Sequence, residues 1–254
     1  MSTLEYVQFP YLSDNYGVLV HSPATGETAC VDAGEAAPLL AALNERGWTL
    51  SQLWITHHHG DHTGGLAEVK AATGCHVVGP AVESTPISGL DQRVGDGDKL
   101  SFAGVDIQVL HTPGHTLDMM NYYLPDEGVL FAGDTLFTLG CGKLFEGTAA
   151  QMWESLGKLM ALPAETVVYC SHEYTLENGA FAIQVDPDNV NLQTRLQKAE
   201  KLREQNQPTV PSTIAEELAT NPFFRASDAA VRHQLGMNNA SDLDVFTELR
   251  KRRG

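Results

Sequence analysis

Cysteine and long apolar runs are scarce in this sequence. Four cysteines occur among 254 residues, no two of them in a CxxC pair, and no apolar run approaches the roughly 20 residues of a membrane helix. This spacing offers no obvious disulfide framework, which predicts a reducing compartment. Residues 1–10 contain no basic stretch followed by an apolar core, so we expect an unexported protein of the cytoplasm.

Positive charge is scarce as well. Lysine and arginine number 16 against 32 acidic residues, which gives a formal net charge of −16. Such a charge repels phosphate backbones and anionic membrane surfaces. We therefore expect neither a nucleic acid nor a membrane as a partner, and a nuclease activity is disfavoured.

The order of the predicted elements indicates an α/β protein. Short β-like runs, separated by glycine, proline and aspartate, alternate with stretches of helical periodicity up to residue 173. Beyond that point the pattern is helical, over 192–204, 212–219 and 241–253. The sequence predicts a catalytic domain over residues 1–173 and a helical substrate-binding subdomain over residues 174–254.

Histidine is concentrated in one short segment. Four of the ten histidines fall within residues 57–62, together with an aspartate. His57 and His59 are two positions apart, so in extended backbone they face the same side, and His58 faces away. We expect Gly60 to allow a tight turn and Gly64–Gly65 to let the next helix begin close by. The segment predicts metal ligands at His57, His59, Asp61 and His62.

Three later segments repeat one pattern, in which a buried strand runs into a polar residue beside glycine or serine. Each supplies one further candidate ligand: His115, Asp134 and His172. Five imidazoles and two carboxylates suffice for two divalent metal ions with room for a water molecule. Zinc suits this donor set, and iron or manganese also accept it.

The same segments resemble a known family. Residues 56–62, Thr-His-His-His-Gly-Asp-His, resemble the THxHxDH signature of the metallo-β-lactamase superfamily. Residues 112–116 (TPGHT), 133–137 (GDTLF), 140–143 (GCGK) and 172–175 (HEYT) resemble the hydroxyacylglutathione hydrolases, the glyoxalase II family. The resemblance covers nearly the whole chain and implies an αββα sandwich with a C-terminal helical subdomain.

That resemblance also implies how the ligands are shared. One metal would be bound by His57, His59 and His115, the other by Asp61, His62 and His172, and Asp134 would bridge the two. Two metals would activate water for attack on a thioester carbonyl, so no protein nucleophile is required. Asp61 and Asp134 are the implied catalytic residues, and S-D-lactoylglutathione would give glutathione and D-lactate, the second step of methylglyoxal detoxification.

The family's glutathione contacts map onto the later part of the chain. They are Lys143, Tyr174, Arg250 and Arg253, cations and a ring suited to an anionic tripeptide. The chain departs from the family pattern at a few positions. Phe145 stands where a tyrosine is common, which removes a hydroxyl, and Leu117-Asp118 stand where Gly-His or Gly-Ser is common after His115-Thr116. Gly60 stands where a larger residue is often found.

Other activities on the same fold remain open at this stage. They are a persulfide dioxygenase with a single iron, a lactonase, a β-lactamase and another thioesterase. A binding module that has lost catalysis is disfavoured by the intact ligand set. We expect the chain to act as a monomer on a glutathione thioester.

Overall fold

The computed structural model describes residues 4–82 and 84–254. The chain forms two compact units, Met1–His111 with Thr116–Gly133, and Thr112–His115 with Asp134–Gly254. The predicted boundary after residue 173 separates a catalytic part from a substrate-binding part. This division by function stays a prediction.

The first unit contains ten strands and three helices in its described residues. The strands are β1 (Glu5–Tyr11), β2 (Asn15–His21), β3 (Thr28–Val31), β4 (Leu50–Trp54), β5 (His76–Pro80), β6 (Gln92–Val94), β7 (Lys99–Phe102), β8 (Val105–His111), β9 (Met120–Leu124) and β10 (Val129–Gly133). The helices are α1 (Ala36–Arg46), α2 (Gly60–Thr63) and α3 (Leu66–Thr73).

Six of these strands form one sheet in the order β1-β2-β3-β4-β5-β6. The first three are antiparallel, and β3 to β6 are parallel. Strands β7 to β10 pair as an antiparallel meander. Because β3 and β4 are parallel neighbours, the residues that follow them, Asp32 and Thr56–His62, emerge at the same sheet edge.

The core of the first unit follows from alternation along β4. Leu53 packs with helices α1 and α3, whereas its neighbour Trp54 faces the meander, and both are fully buried. Trp54 lies 5.5 Å, centroid to centroid, from Phe102 and 5.9 Å from Tyr122. The two sheets therefore pack face to face, with helices on the outer face of the first.

The second unit contains two short strand pairs and six helices. The pairs are β11 (Leu136–Phe137) with β12 (Gly140–Cys141) and β13 (Val167–Cys170) with β14 (Ser212–Thr213); the helices are α4 (Ala149–Met160), α5 (Thr175–Val185), α6 (Val190–Glu204), α7 (Ile214–Thr220), α8 (Ala229–Leu235) and α9 (Asp242–Arg253). Its aromatic core centres on Phe223, whose ring lies 6.0 Å from Phe246 and 5.9 Å from Phe181.

Several of the shorter elements are not predicted by the sequence pattern, and neither are β1 and α5, for which the structure shows a tertiary cause. Strand β1 contains Pro10, which lacks an N–H, but β1 is an edge strand of its sheet, where proline is tolerated. Helix α5 contains Gly179, a weak helix former. A methyl group on Gly179 would lie 2.5 Å from Leu196 Cδ1, so the glycine allows α5 and α6 to approach each other.

The start of α7 also differs from the prediction. The sequence pattern places the helix start at Ser212, whereas Ser212 lies in β14 and Thr213 caps the helix. The Thr213 hydroxyl accepts a hydrogen bond from the Glu216 N–H at 3.1 Å. Within residues 4–82 and 84–254, no helix combines the length and apolarity needed to cross a membrane.

Candidate metal centre

The four predicted ligands of residues 57–62 lie in the first unit, His57 and His59 in the loop after β4 and Asp61 and His62 in helix α2. His57 and His62 are fully buried. The Nε2 atom of His57 lies 3.1 Å from Nδ1 of His59, and Nε2 of His62 lies 3.3 Å from Oδ2 of Asp61. The strand end therefore brings the rings of the alternate residues His57 and His59 together, as their spacing predicts, and the short helix brings the adjacent Asp61 and His62 together.

Asp32 is a functional residue that the sequence reasoning missed. Its Oδ2 atom accepts a hydrogen bond from His62 Nδ1 at 2.8 Å, and its Oδ1 atom accepts one from the Thr56 N–H at 2.8 Å. Engaging Nδ1 leaves the Nε2 atom of His62 available as a ligand. The signal was only partial, because Asp32 follows the buried strand β3, as the later ligands follow buried strands, but its neighbours are Val31 and Ala33, with no adjacent glycine or serine.

Asp61 is held by residues at the hairpin between β1 and β2. Asn15 is buried and donates from Nδ2 to Oδ2 of Asp61 at 3.0 Å, while the Tyr11 hydroxyl donates to the Asp61 carbonyl at 3.0 Å. The carboxylate and the peptide of this residue are thus both fixed, although about a third of the Asp61 side chain is exposed.

His58 has contacts of its own, between the two predicted ligands His57 and His59. Its Nδ1 atom lies 3.0 Å from Oδ1 of the buried Asp118 and 3.2 Å from the Ser84 hydroxyl. Asp118, the departure from the family pattern, therefore binds the middle histidine of the segment.

The glycines of this segment fulfil the expectations only in part. Helix α2 begins at Gly60 without a positive φ, and a methyl group placed on this residue would contact nothing, so the conformation at position 60 does not require glycine. The close approach expected at Gly64–Gly65 is confirmed, because a methyl group on Gly65 would lie 2.4 Å from the Ala36 nitrogen.

The second unit contains the other three predicted ligands, His115, Asp134 and His172, all of them buried. Oδ2 of Asp134 lies 3.3 Å from Nε2 of His115 and 3.4 Å from Nε2 of His172. The Nδ1 atom of His115 donates to the Lys143 carbonyl at 2.8 Å. Here too a carboxylate faces imidazole Nε2 atoms, and a hydrogen bond on the far side of one ring sets its tautomer.

The predicted substrate-binding residues also lie in the second unit. Tyr174 stacks on His172 with ring centroids 4.7 Å apart, and Phe145 is 61% exposed. Lys143 is exposed, with its Nζ atom 5.8 Å from the centroid of the Phe145 ring. Arg253 donates from Nη2 to Oδ1 of Asn178 at 3.2 Å.

Arg250, the remaining predicted contact, is buried. Helix α9 continues to Arg253, and the Arg250 side chain contacts residues of the β11–β12 hairpin. Arg250 therefore packs against the hairpin and does not merely solvate the end of the helix.

The cysteines near the ligands have no chemical role in the arrangement. All four cysteines of the chain lie among the described residues as free, buried thiols. Burial raises the pKa of Cys170 to about 12 and also raises the pKa of Cys141. A raised thiol pKa disfavours the thiolate that would bind metal or act as a nucleophile, so packing is the role that fits both residues.

The chemistry of the donors fits divalent metal ions. The seven side chains are among the His and Asp groups of the described residues that could hold a metal ion. In the first unit, Nε2 of the buried His62 lies 3.3 Å from a carboxylate oxygen, and a second carboxylate accepts a hydrogen bond from its Nδ1 atom. In the second unit, Nε2 of the buried His115 also lies 3.3 Å from a carboxylate oxygen, and a main-chain carbonyl accepts from its Nδ1 atom. Imidazole and carboxylate together are the donors that zinc, iron and manganese accept.

Two family models match the chain and together cover residues 15–254. Residues 15–172 match the metallo-beta-lactamase superfamily, and residues 173–254 match the hydroxyacylglutathione hydrolase C-terminus. The matches confirm the expected α/β fold class with a C-terminal helical region.

Curated relatives match over the full length. The hydroxyacylglutathione hydrolase of Maricaulis maris (strain MCS10) is 49% identical over 100% of this chain and 99% of its own. The protein of the same name from Rhizobium meliloti (strain 1021) is 50% identical over 100% of this chain and 99% of its own. Among solved structures, ETHE1 from Myxococcus xanthus superposes with a TM-score of 0.67 at 26% identity, over 98% of each chain.

Proposed function

We propose roles for individual residues on the premise of the family. The chain belongs to the hydroxyacylglutathione hydrolases of the metallo-beta-lactamase superfamily, and it is a metal-dependent hydrolase of hydroxyacylglutathione. Full-length identity of about 50% to proteins of that name carries the conclusion. The substrate we propose is S-D-lactoylglutathione, and the products are glutathione and D-lactate, as in the second step of methylglyoxal detoxification.

The proposed centre would take two divalent ions, zinc in preference to iron or manganese. We assign His57, His59 and His115 to one ion and Asp61, His62 and His172 to the other, and Asp134 would serve both. The donor chemistry within each unit supports this allotment, because imidazole Nε2 atoms and carboxylate oxygens already face each other there. When bound, such ions polarise a carbonyl oxygen and make water acidic enough to act as a nucleophile near neutral pH.

The chain's own groups orient these donors. Asp32 and the Lys143 carbonyl accept the Nδ1 protons of His62 and His115, so both rings present Nε2. Asn15 fixes the carboxylate of Asp61, the residue we assign to orienting the attacking water together with Asp134. Outer partners of this kind raise ligand basicity and limit ring rotation.

The substrate contacts we propose are Lys143, Phe145, Tyr174, Arg250 and Arg253. Glutathione carries two carboxylates and an ammonium group, so exposed cations such as Lys143 suit it despite the net charge of −16. Phe145 presents an exposed ring beside Lys143 and His115. Because Tyr174, Arg250 and Arg253 lie within residues 174–254, we assign substrate binding to this helical region.

Two finer assignments accompany this proposal. A cytoplasmic location is supported by four buried free thiols, which a reducing compartment maintains. Action as a monomer is supported because one chain supplies every proposed metal ligand and every proposed substrate contact.

Steady-state hydrolysis of S-D-lactoylglutathione, followed through loss of the thioester, tests the assignment. We expect activity that a chelator abolishes and zinc restores, with two metal ions per chain by elemental analysis. Asp134→Ala should reduce kcat by more than about a hundredfold, since even partners outside the ligand shell are worth 10–100-fold. Asp106→Ala, at an exposed position of β8, removes the same charge and should change nothing.

The same measurements can contradict the assignment. Two bound metals without thioesterase activity would exclude the glutathione thioester, and a single iron per chain would favour the persulfide dioxygenase alternative.

A further inference from the structure

Arg250 is a buried cation whose hydrogen-bond donors point at the main chain. It is 7% exposed, its Nη1 atom donates to the Cys141 carbonyl at 2.7 Å and approaches the Gly142 carbonyl at 3.4 Å, and Nη2 donates to the Gly254 carbonyl at 3.2 Å. The guanidinium carbon lies 5.1 Å from the centroid of the Phe223 ring. A desolvated charge needs such partners, so these contacts fix the position of the side chain.

The peptide that Arg250 contacts lies against two proposed metal ligands. A methyl group placed on Gly142 would lie 2.0 Å from the Asp134 carbonyl oxygen and 3.0 Å from Cβ of His115. The Gly142 N–H donates to the Thr135 carbonyl at 3.2 Å. Only a glycine peptide fits this position, and its displacement would move the backbone next to Asp134 and His115.

The next residue continues the connection to a ligand ring. The Lys143 carbonyl directly follows Gly142 in the chain and accepts the hydrogen bond from Nδ1 of His115 at 2.8 Å. Three consecutive peptide carbonyls, at residues 141, 142 and 143, therefore link the Arg250 guanidinium to the His115 imidazole. The second nitrogen of that ring, Nε2, is the proposed metal donor.

Side chains from the helical region fix the rest of the same hairpin. Asn178 donates to the Thr138 carbonyl at 3.1 Å and Asn221 donates to the Gly140 carbonyl at 2.9 Å. The carboxylate of the fully buried Glu217 accepts from the Leu139 N–H at 3.0 Å, at a residue with φ of +60°. The conformation of residues 138–142 is thus set by side chains of the helical region, and the carbonyls that Arg250 contacts, at residues 141 and 142, adjoin Lys143 in the chain.

We propose that Arg250 is a positioning residue for the metal ligand His115, acting through the carbonyls of residues 141–143. This inference rests on the proposed function, because it assumes that His115 binds a metal ion. It assigns the helical region a role in the metal centre as well as in substrate binding. It predicts that loss of the guanidinium changes metal binding in the absence of any substrate.

The test compares Arg250→Met and Arg250→Lys with Arg252→Ala in the full-length protein. Methionine keeps much of the apolar stem and removes every donor, whereas lysine keeps the charge and removes the planar fork. Arg252 lies on the same helix and forms an exposed ion pair with Glu248 at 2.7 Å, so its alanine variant is the matched control. Circular dichroism establishes that each variant is folded.

Zinc affinity is measured by competition with a chelator, without substrate, and the visible absorption of the cobalt-substituted protein reports ligand geometry. We expect Arg250→Met to bind one of its ions about 10–100-fold more weakly, with an altered cobalt spectrum and a lower kcat. Arg250→Lys should recover part of the affinity. Arg252→Ala should match the wild type in every measurement.

Wild-type zinc affinity and cobalt spectrum in Arg250→Met, with only KM raised, would overturn the inference and leave Arg250 as a substrate contact. If Arg250→Met does not fold, Arg250→Lys decides by the same criteria, since it retains the buried charge. A wild-type protein without bound zinc or thioesterase activity would contradict the proposed function instead.

Discussion

Replacing Asp32 by asparagine should weaken both the fold and metal binding, because a carboxylate here serves two donors that an amide cannot serve together. The Thr56 N–H and the His62 Nδ1–H each donate to a different Asp32 oxygen at 2.8 Å. An asparagine has one oxygen and one NH2 group. In either orientation of the amide, one of the two buried donors faces another donor.

The expected cost follows from that conflict. A buried donor left without an acceptor costs about 1–3 kcal/mol. Where the NH2 group faces His62, the ring can relieve the conflict only by moving its proton from Nδ1 to Nε2, which removes the lone pair meant for the metal. We therefore expect Asp32→Asn to lose about 1–3 kcal/mol of unfolding free energy and about 10–100-fold in zinc affinity.

Urea unfolding of the metal-free protein and zinc competition with a chelator measure the two effects separately. Asp106→Asn, the same change at an exposed position of β8, is the control and should leave both values unchanged. If Asp32→Asn unfolds at the wild-type urea concentration and binds zinc with wild-type affinity, Asp32 does not orient His62.

Two further predictions concern substrate affinity and pH. Phe145→Tyr restores the hydroxyl that is common in the family. It should lower KM for S-D-lactoylglutathione about 2–10-fold with kcat unchanged, because one neutral hydrogen bond contributes about that much to binding. An unchanged KM would contradict this prediction. The buried Cys170 thiol should resist iodoacetamide in the native protein at pH 8. The pKa of the Cys170 thiol is near 9 in the unfolded chain, and burial raises it to about 12 in the folded protein. The free energy of unfolding should therefore fall as pH rises through that window. Urea melts that do not change between pH 8 and pH 10 would contradict this prediction.

The proposed metal ligands could be identified from the sequence because each stands in a local pattern. His57 and His59 are two apart on extended backbone, and the three later ligands each follow a buried strand. The family models and relatives confirm the family and activity that these motifs indicate. Which ligand binds which ion stays a prediction, supported by the distances within each unit.

Asp32 shows where this reasoning stopped short. It shares part of the local pattern of the ligands, a buried strand followed by a carboxylate, but its role depends on a partner 30 residues away in the chain. The pairing arises because β3 and β4 are parallel neighbours whose carboxyl ends share an edge. Strand order of this kind is a tertiary property.

The sequence alone determined the donor types and their spacing, hence the α/β character, the metal chemistry and the family, because these depend on short-range periodicity and on residue identity. Only the tertiary structure decided which groups surround the donors: Asp32 on His62, Asp118 on His58, and Arg250 on the peptides leading to His115. Those contacts join residues 30 to 109 positions apart. Only the packing of sheets and helices fixes such pairs, because local propensity carries no information about a partner so distant in the chain.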